Sequence, residues 1–309
     1  MKNLLTVFTV HCAHCYILYF ANFATTFPLT AYVAFLYPTI LFFILPVIAW
    51  SVAQFLQHPE LTDGAPRPSF QRNKLYAMWS SYLSASVVPN LSLGTSPFIV
   101  AIHPHGLPLW PHWANFLLGS LPFKDFRILA DSSMLRFPLL RETCLFVGCV
   151  DYGRTTAAYN LKKGRSLVVF PGGHKEVMLT RYQRERVNLL KVFGFVKLAI
   201  QSGTPLLPCY AFGAVDMFST SDFLYELRMT VVRMGICVPF FWGPMGLMGP
   251  HKVRLTVVVG DPVDVGELRE SPSRTEVAEV HARYCDALQV LFDTRKGEYG
   301  YGDRTLEFY

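Results

Sequence analysis

From Asn3 to Pro59 the chain carries no Asp, Glu, Lys or Arg. A span of that length without charge is hard to reconcile with a water-facing surface, which favours a membrane-embedded segment over the alternative of a buried helical subdomain. Roughly 20 apolar residues cross a bilayer, so the run has room for two crossings or one deep re-entrant hairpin. Pro28, Pro38 and Pro46, with Asn22, Thr25 and Thr26, divide it into Leu4–Phe27 and Leu29–Phe55. A hairpin returns both ends to one side. Lys2 together with Arg67, Arg72 and Lys74 places that side in the cytosol. The run is too long for a signal-peptide core and has no clear cleavage site.

His11-Cys12-Ala13-His14-Cys15 has C-x-x-C spacing inside this run. No second ligand pair follows at finger spacing and the motif sits in a lipid-facing pattern, so small, apolar-tolerant cysteines account for it better than a metal or redox site. Seven cysteines, scattered through apolar segments, form no disulfide framework and point to a reducing compartment. A net charge of +6 suits an anionic membrane or a phosphorylated ligand. No basic helix with interleaved aromatics is present, so a nucleic-acid partner is not expected.

The pattern divides the chain into a hydrophobic hairpin over 1–57, a linker over 58–96 and a catalytic body over 97–309. Residues 58–74 are rich in Pro, Gly and charge. Leu75–Val88 alternates aromatics and serines and reads as a helix lying on the membrane surface. Asn90-Leu91-Ser92 is a glycosylation sequon that, facing the cytosol, would stay unmodified. In the body, strands are expected at Phe98–Ile102, Arg127–Ala130, Cys144–Val150, Leu167–Phe170, Leu206–Tyr210 and Val253–Val259. Helices are expected at Leu109–Gly119, Thr155–Lys163, Lys191–Ser202 and Thr275–Lys296. The last opens with a capping box, Ser273-x-x-Glu276, and lines up Val277, Val280, Tyr284, Leu288 and Leu291 on one face. Alternation of this kind specifies an α/β fold, a sheet covered on both sides by helices.

Two strand ends carry chemistry. His103-Pro104-His105-Gly106 follows the apolar run Phe98–Ile102, and open α/β sheets place their sites at such edges. Imidazole is the side chain best matched to moving a proton near neutral pH. Phe170-Pro171-Gly172-Gly173-His174-Lys175-Glu176 repeats the arrangement after a second buried strand, with consecutive glycines able to offer N–H groups to an anion or oxyanion. A third stretch, Val231–Pro250, contains one charge, Arg233, and is too broken by Gly and Pro for a spanning helix. Its Phe240, Phe241, Trp242 and Met245 read as a lipid-facing rim.

These motifs resemble those of the acyl-CoA:diacylglycerol acyltransferase type 2 family, which includes monoacylglycerol and wax-alcohol acyltransferases. The resemblance rests on His103-Pro104-His105-Gly106, Arg154, Pro171-Gly172-Gly173-x-x-Glu176 and Gly194-Phe195-Val196-Lys197-Leu198-Ala199. It continues through Pro208-x-x-Ala211-Phe212-Gly213, Gly243-Pro244-Met245-Gly246, Val258-Val259-Gly260-Asp261-Pro262 and His281-x-x-Tyr284. It departs from the family pattern at His174, where a small or apolar residue is usual, and at Val192-Phe193, where a basic residue commonly precedes Gly-Phe-Val-Lys. The resemblance implies transfer of a fatty acyl group from coenzyme A to a neutral lipid alcohol at the endoplasmic reticulum or lipid droplet. It also implies a glycerolipid-acyltransferase-like mixed sheet flanked by helices and preceded by the membrane hairpin. Acyl-CoA would be a co-substrate, with no resident cofactor or metal, and a homo-oligomer is compatible with the pattern.

Making an ester from a thioester needs a base for the alcohol proton, donors for the tetrahedral oxyanion and a site for the nucleotide phosphates. His105, beside Gly106 and further from the strand, is expected to be the base, with His103 as alternative or orienting partner. No Asp occurs between Gly106 and Lys124, so an acidic partner must come from elsewhere. Glu176 is the candidate to orient and charge-stabilise the imidazolium. Gly106, Gly172 and Gly173 are candidates for close approach and oxyanion contact, and Arg154, Lys175 and Lys197 for the coenzyme phosphates. Two other classes stay open at this point. One is a metal-dependent hydrolase using His103, His105 and His174, and the other a non-catalytic lipid-binding protein.

Overall fold

A computed structural model describes residues 45, 46, 49, 52, 53 and 56–309, except 72–73, 91, 95–96, 108–124, 137–139, 234–236 and 247–248. The hairpin expected over 1–57, but for those scattered positions, the C-x-x-C motif and the helix expected at Leu109–Gly119 fall outside the described residues. Among the described residues no helix is long and apolar enough to cross a membrane.

A turn at Pro59–Leu61 and a short helix at Pro68–Gln71 precede α1 (Lys74–Tyr82) and β1 (Ser86–Val88). Next come β2 (Ile99–His103), β3 (Phe126–Ala130), α2 (Leu140–Val147), β4 (Cys149–Asp151), α3 (Arg154–Lys162), β5 (Ser166–Val169) and α4 (Gly173–Leu179). The chain continues through β6 (Glu185–Val187), α5 (Gly194–Ser202), β7 (Leu206–Phe212), β8 (Ser219–Thr220), α6 (Tyr225–Val232) and β9 (Phe241–Trp242). It closes with β10 (Thr256–Val259), α7 (Arg274–Arg295) and β11 (Leu306–Phe308).

Seven strands make one mixed sheet in the order β1-β10-β7-β2-β5-β3-β4. From β7 to β4 all neighbours are parallel; β10 runs antiparallel to β7, and β1 parallel to β10. Parallel strands covered on both faces must be apolar throughout, which is why Ile99–Ile102 and Leu206–Phe212 are continuous apolar runs. Alternate residues of β2 serve opposite layers. Val100 and Ile102 pack with Trp79 of α1 and Cys144 of α2, whereas Ile99 and Ala101 pack with Ala157 of α3, Phe195 of α5 and Tyr284 of α7. The capping box of α7 is formed in both directions, Ser273 Oγ accepting from Glu276 N–H and Glu276 Oε2 from Ser273 N–H. Its expected face is buried, with Tyr284, Leu288 and Phe292 wholly inaccessible.

Three expectations change. Cys144–Val150 is not one strand: α2 runs through Val147, the chain reverses at Gly148 (φ +98°), and only Cys149–Asp151 enters the sheet. A short apolar run does not distinguish a buried helix from a buried strand, and the positive-φ glycine decides it. Val253–Val259 is a strand only over Thr256–Val259. The 58–96 segment, expected as a linker with an interfacial helix, packs on the body. Tyr76, Trp79 and Tyr82 of α1 turn into the core, and Glu60 pairs with the buried Arg141. Asp63 pairs with Arg165, and β1 extends the sheet.

Candidate active site

Parallel register between β2 and β5, Ile99 opposite Leu167 and Ala101 opposite Val169, ends both strands at the same edge. The His103–Gly106 turn and the Phe170–Glu176 turn, 73 residues apart between His103 and Glu176, therefore meet. Glu176 is fully buried between them. Its Oε1 accepts the main-chain N–H of His105 at 2.6 Å and lies 3.4 Å from His103 Nδ1. Its Oε2 accepts the N–H of Asn188 at 2.8 Å. Burial opposes ionisation of this carboxyl, but the charge and hydrogen bond of His103 and the two N–H donors outweigh it and hold it below the usual range.

This arrangement explains Gly172. A Cβ there would sit 2.0 Å from Glu176 Oε2, so only glycine leaves room for the carboxylate to pass back across the turn. Gly173, at φ +51°, spends its N–H on the carbonyl of Phe170. The N–H expected to contact an oxyanion is thus engaged in closing the turn.

Beside the turns lies a cavity of about 630 Å³ walled by His105, Phe170, Gly173, His174, Arg154 and Phe195, among others. His105 faces it half-buried, its ring 5.4 Å from that of Phe170. Its Nδ1 lies 3.1 Å from the carbonyl oxygen of Gly106. Donation from Nδ1–H to that oxygen leaves Nε2 with its lone pair, the form a base requires. Burial pushes the His105 pKa down. The Gly106 carbonyl and Glu176 oppose this, and the neighbouring His174 and His103 add to it, so the ring is held neutral at pH 7. His103 is wholly buried, does not wall the cavity, packs 6.2 Å from the Tyr284 ring, and has no hydrogen-bond partner for Nε2 among the described residues.

A sequence model described as diacylglycerol acyltransferase matches residues 34–309. The chain belongs to the diacylglycerol acyltransferase family. Membership places it among acyltransferase enzymes. It is 31% identical over 219 residues to diacylglycerol O-acyltransferase 1 of Schizosaccharomyces pombe, covering 64% of this chain and 63% of that relative's length. It is 28% identical over 277 residues to diacylglycerol O-acyltransferase 2 of Dictyostelium discoideum, covering 82% of each. Among solved structures, the 1-acyl-sn-glycerophosphate acyltransferase PlsC of Thermotoga maritima matches with TM-score 0.40 and 19% identity, over 82% of this chain and 94% of that one.

Within this acyltransferase, the fold brings His105, Gly173 and Arg154 to one cavity, with His103, Glu176 and Gly172 packed behind it. Lys197 walls an adjoining cleft with Arg154. Lys175 is exposed on α4 and walls none of these spaces, so it is not placed with the other two cations as expected. Gly106, at φ +65°, makes the reversal after His105. Phe240 stacks on the exposed Phe223 and Phe241 packs edge-on to Phe218, so both are half-covered, while Trp242 and Met245 stand exposed. Among the described residues no three His, Cys, Asp or Glu side chains are grouped to hold a metal ion; His103 Nδ1 is turned to Glu176. Sequence reasoning missed Asn188, whose contribution is a main-chain N–H that no side-chain pattern announces. Asp131 and Asp151, strand-end acids that the hydrolase alternative would have used as metal ligands, also wall the cavity.

Proposed function

We propose that this chain transfers a fatty acyl group from acyl-CoA to the hydroxyl of a neutral lipid, foremost diacylglycerol to give triacylglycerol, with His105 as general base. The observation that carries the reading is His105 itself: an imidazole on the wall of a cavity of about 630 Å³, its main chain held by a buried carboxylate and its ring by the Gly106 carbonyl, in a chain of this family. His105 Nε2 takes the hydroxyl proton as the alcohol oxygen attacks the thioester carbonyl. The tetrahedral intermediate then expels the coenzyme thiolate, which recovers the proton from the imidazolium. Glu176 favours that imidazolium by charge, and positions it through the His105 main chain rather than through its ring. His103 stands behind as the ring that shares the carboxylate. No resident cofactor is needed, since acyl-CoA supplies the group transferred.

In the same reading, Trp242 and Met245, with Phe240 and Phe241 beneath them, meet the bilayer or lipid-droplet surface that delivers the acceptor. The charge-free amino-terminal run anchors the enzyme in the endoplasmic reticulum membrane with its active site toward the cytosol. Assembly into homo-oligomers is part of the proposal.

The test is incubation of the purified full chain with labelled oleoyl-CoA and a panel of diacylglycerol, monoacylglycerol, long-chain alcohol and sterol. Labelled triacylglycerol as the main product is the expected result. Another labelled ester would move the acceptor to monoacylglycerol or a wax alcohol, and free oleate alone would replace the transferase reading with a hydrolase.

A further inference from the structure

Two clefts adjoin the His105 cavity and share its walls. One, of about 480 Å³, is formed where three helices begin: Arg154 opens α3, Gly194 opens α5 and Arg274 opens α7, joined by Phe193 and Lys197. The other, of about 390 Å³, shares Arg154 and adds Lys162, Gln201 and Ser202. Arg154 walls all three spaces, Gly194 walls the main cavity and the first cleft, and Leu198 the main cavity and the second.

The charge in these clefts is one-sided. Arg154, Lys162, Lys197 and Arg274 line them, and no carboxylate does among the described residues. Among the described residues none of the four makes an ion pair there, although Arg165, Arg186, Arg269 and Arg304 all do elsewhere on the molecule. Like charges around concave, low-dielectric walls repel one another and focus a positive field, an arrangement that an anion relieves. The acids of the main cavity, Asp131 and Asp151, line neither cleft, and Asp151 is occupied by Ser132 Oγ and Gly153 N–H. Phe193, 41% exposed, has the His281 ring 4.6 Å away and leaves area open beside the cleft.

We propose that these two clefts bind the 3′-phosphorylated adenosine diphosphate head of the acyl donor, its pantetheine arm passing Arg154 into the His105 cavity. The proposal rests on acyl-CoA being the donor. The head carries about four negative charges, two on the diphosphate and up to two on the 3′-phosphate, against the four cations. Arg154 and Arg274 supply planar forks for bidentate phosphate contact, Lys162 and Lys197 point charges, and the open side of Phe193 a surface for the adenine. Arg274 and Lys162 thereby join Arg154 and Lys197, and Lys175 drops out of the set.

The experiment compares wild type with an Arg154→Gln/Arg274→Gln variant and a Lys162→Gln/Lys197→Gln variant, all as full chains, with Lys252→Gln as a control for an exposed cation elsewhere. Three readouts are taken: KM and kcat with oleoyl-CoA and oleoyl-dephospho-CoA, calorimetric binding of adenosine 3′,5′-bisphosphate, and flotation with phosphatidic acid vesicles. Expected for each double variant is a KM for oleoyl-CoA raised roughly tenfold or more with kcat within about twofold. The advantage of CoA over dephospho-CoA should shrink, nucleotide binding should weaken in step, and melting temperature should hold. Unchanged KM and nucleotide binding overturn the proposal. So does loss of vesicle binding with nucleotide binding intact, which would give the clefts to a lipid headgroup. If wild type makes no ester from oleoyl-CoA, the donor reading falls separately, and the clefts are judged on nucleotide binding alone: variant-sensitive binding supports them, and absent or insensitive binding overturns them.

Discussion

Glu176 holds His105 by its main chain: the His105 N–H donates to Oε1 at 2.6 Å, while the imidazole itself is fixed by the Gly106 carbonyl at 3.1 Å. The carboxylate thus sets where the turn sits and what charge surrounds the ring, and leaves Nε2 for substrate.

Replacing this carboxylate tests that division of labour. Glu176→Gln is expected to lower kcat by roughly 10²- to 10³-fold with little change in KM for acyl-CoA, because the loss falls on imidazolium stabilisation and alignment. Steady-state kinetics on detergent-purified protein decide it. The same carboxyl carries a linkage signature. Its folded pKa lies below the ordinary carboxyl value of 4.5, so its contribution to stability is complete above the unfolded pKa and is lost as pH falls through the folded one. Urea midpoints should therefore fall more steeply on acidification below pH 4.5 in wild type than in Glu176→Gln.

The pH profile of turnover reports His105. Its pKa is pushed below 6.5, by burial first and by His174 and His103 after it, so activity should be full at pH 7 and fall only as pH drops through that lowered value. His174→Ala removes one of the like charges, and the acid limb of kcat/KM should move upward toward 6.5. A limb that stays in place would mean the titrating group is not His105.

Tyr309, just past β11, braces the loop whose Asn188 holds the same carboxylate. Tyr309 donates its N–H to Val187 and accepts from Leu189 and Leu190 through its carbonyl, at 2.8–2.9 Å, bracketing the Asn188 that donates to Glu176. Deleting 306–309 should lower kcat on the order of a hundredfold with KM nearly unchanged. The deletion should cost little more in a Glu176→Gln background, since both act on one contact. An equal loss in both backgrounds would assign the strand to stability alone.

Glu60 belongs to the body. It is buried against Arg141, which is wholly inaccessible and has Glu142 3.6 Å away as a second acid. Glu60→Ala should cost about 3 kcal/mol in urea unfolding, the lower end for breaking a buried pair, because Glu142 still compensates part of the charge.

Much of this was legible beforehand because it is written in local patterns. The capping box at Ser273, the helical face through Tyr284 and Leu288, and the two strand-end motifs at His103 and Gly172 each depend on spacing alone. Other features depend on contacts distant in sequence. The aromatics of Lys74–Tyr82 suit a membrane surface or a protein core equally, and only the β1 edge beside them decides for the core. Gly173 reads as a donor to substrate, and in the fold its N–H donates to the Phe170 carbonyl. The sequon residue Asn90 is engaged at both ends of its amide, by Gly260 and Asp261 on one side and Ser92 on the other, a structural duty that its motif does not reveal.

The most direct test of the central claim is the rate at which purified His105→Ala forms labelled triacylglycerol from oleoyl-CoA and diacylglycerol, measured beside wild type at matched melting temperature. Turnover reduced to background, with acyl-CoA still bound, is the result this account requires. Turnover near the wild-type rate would contradict it and move the proton transfer away from His105.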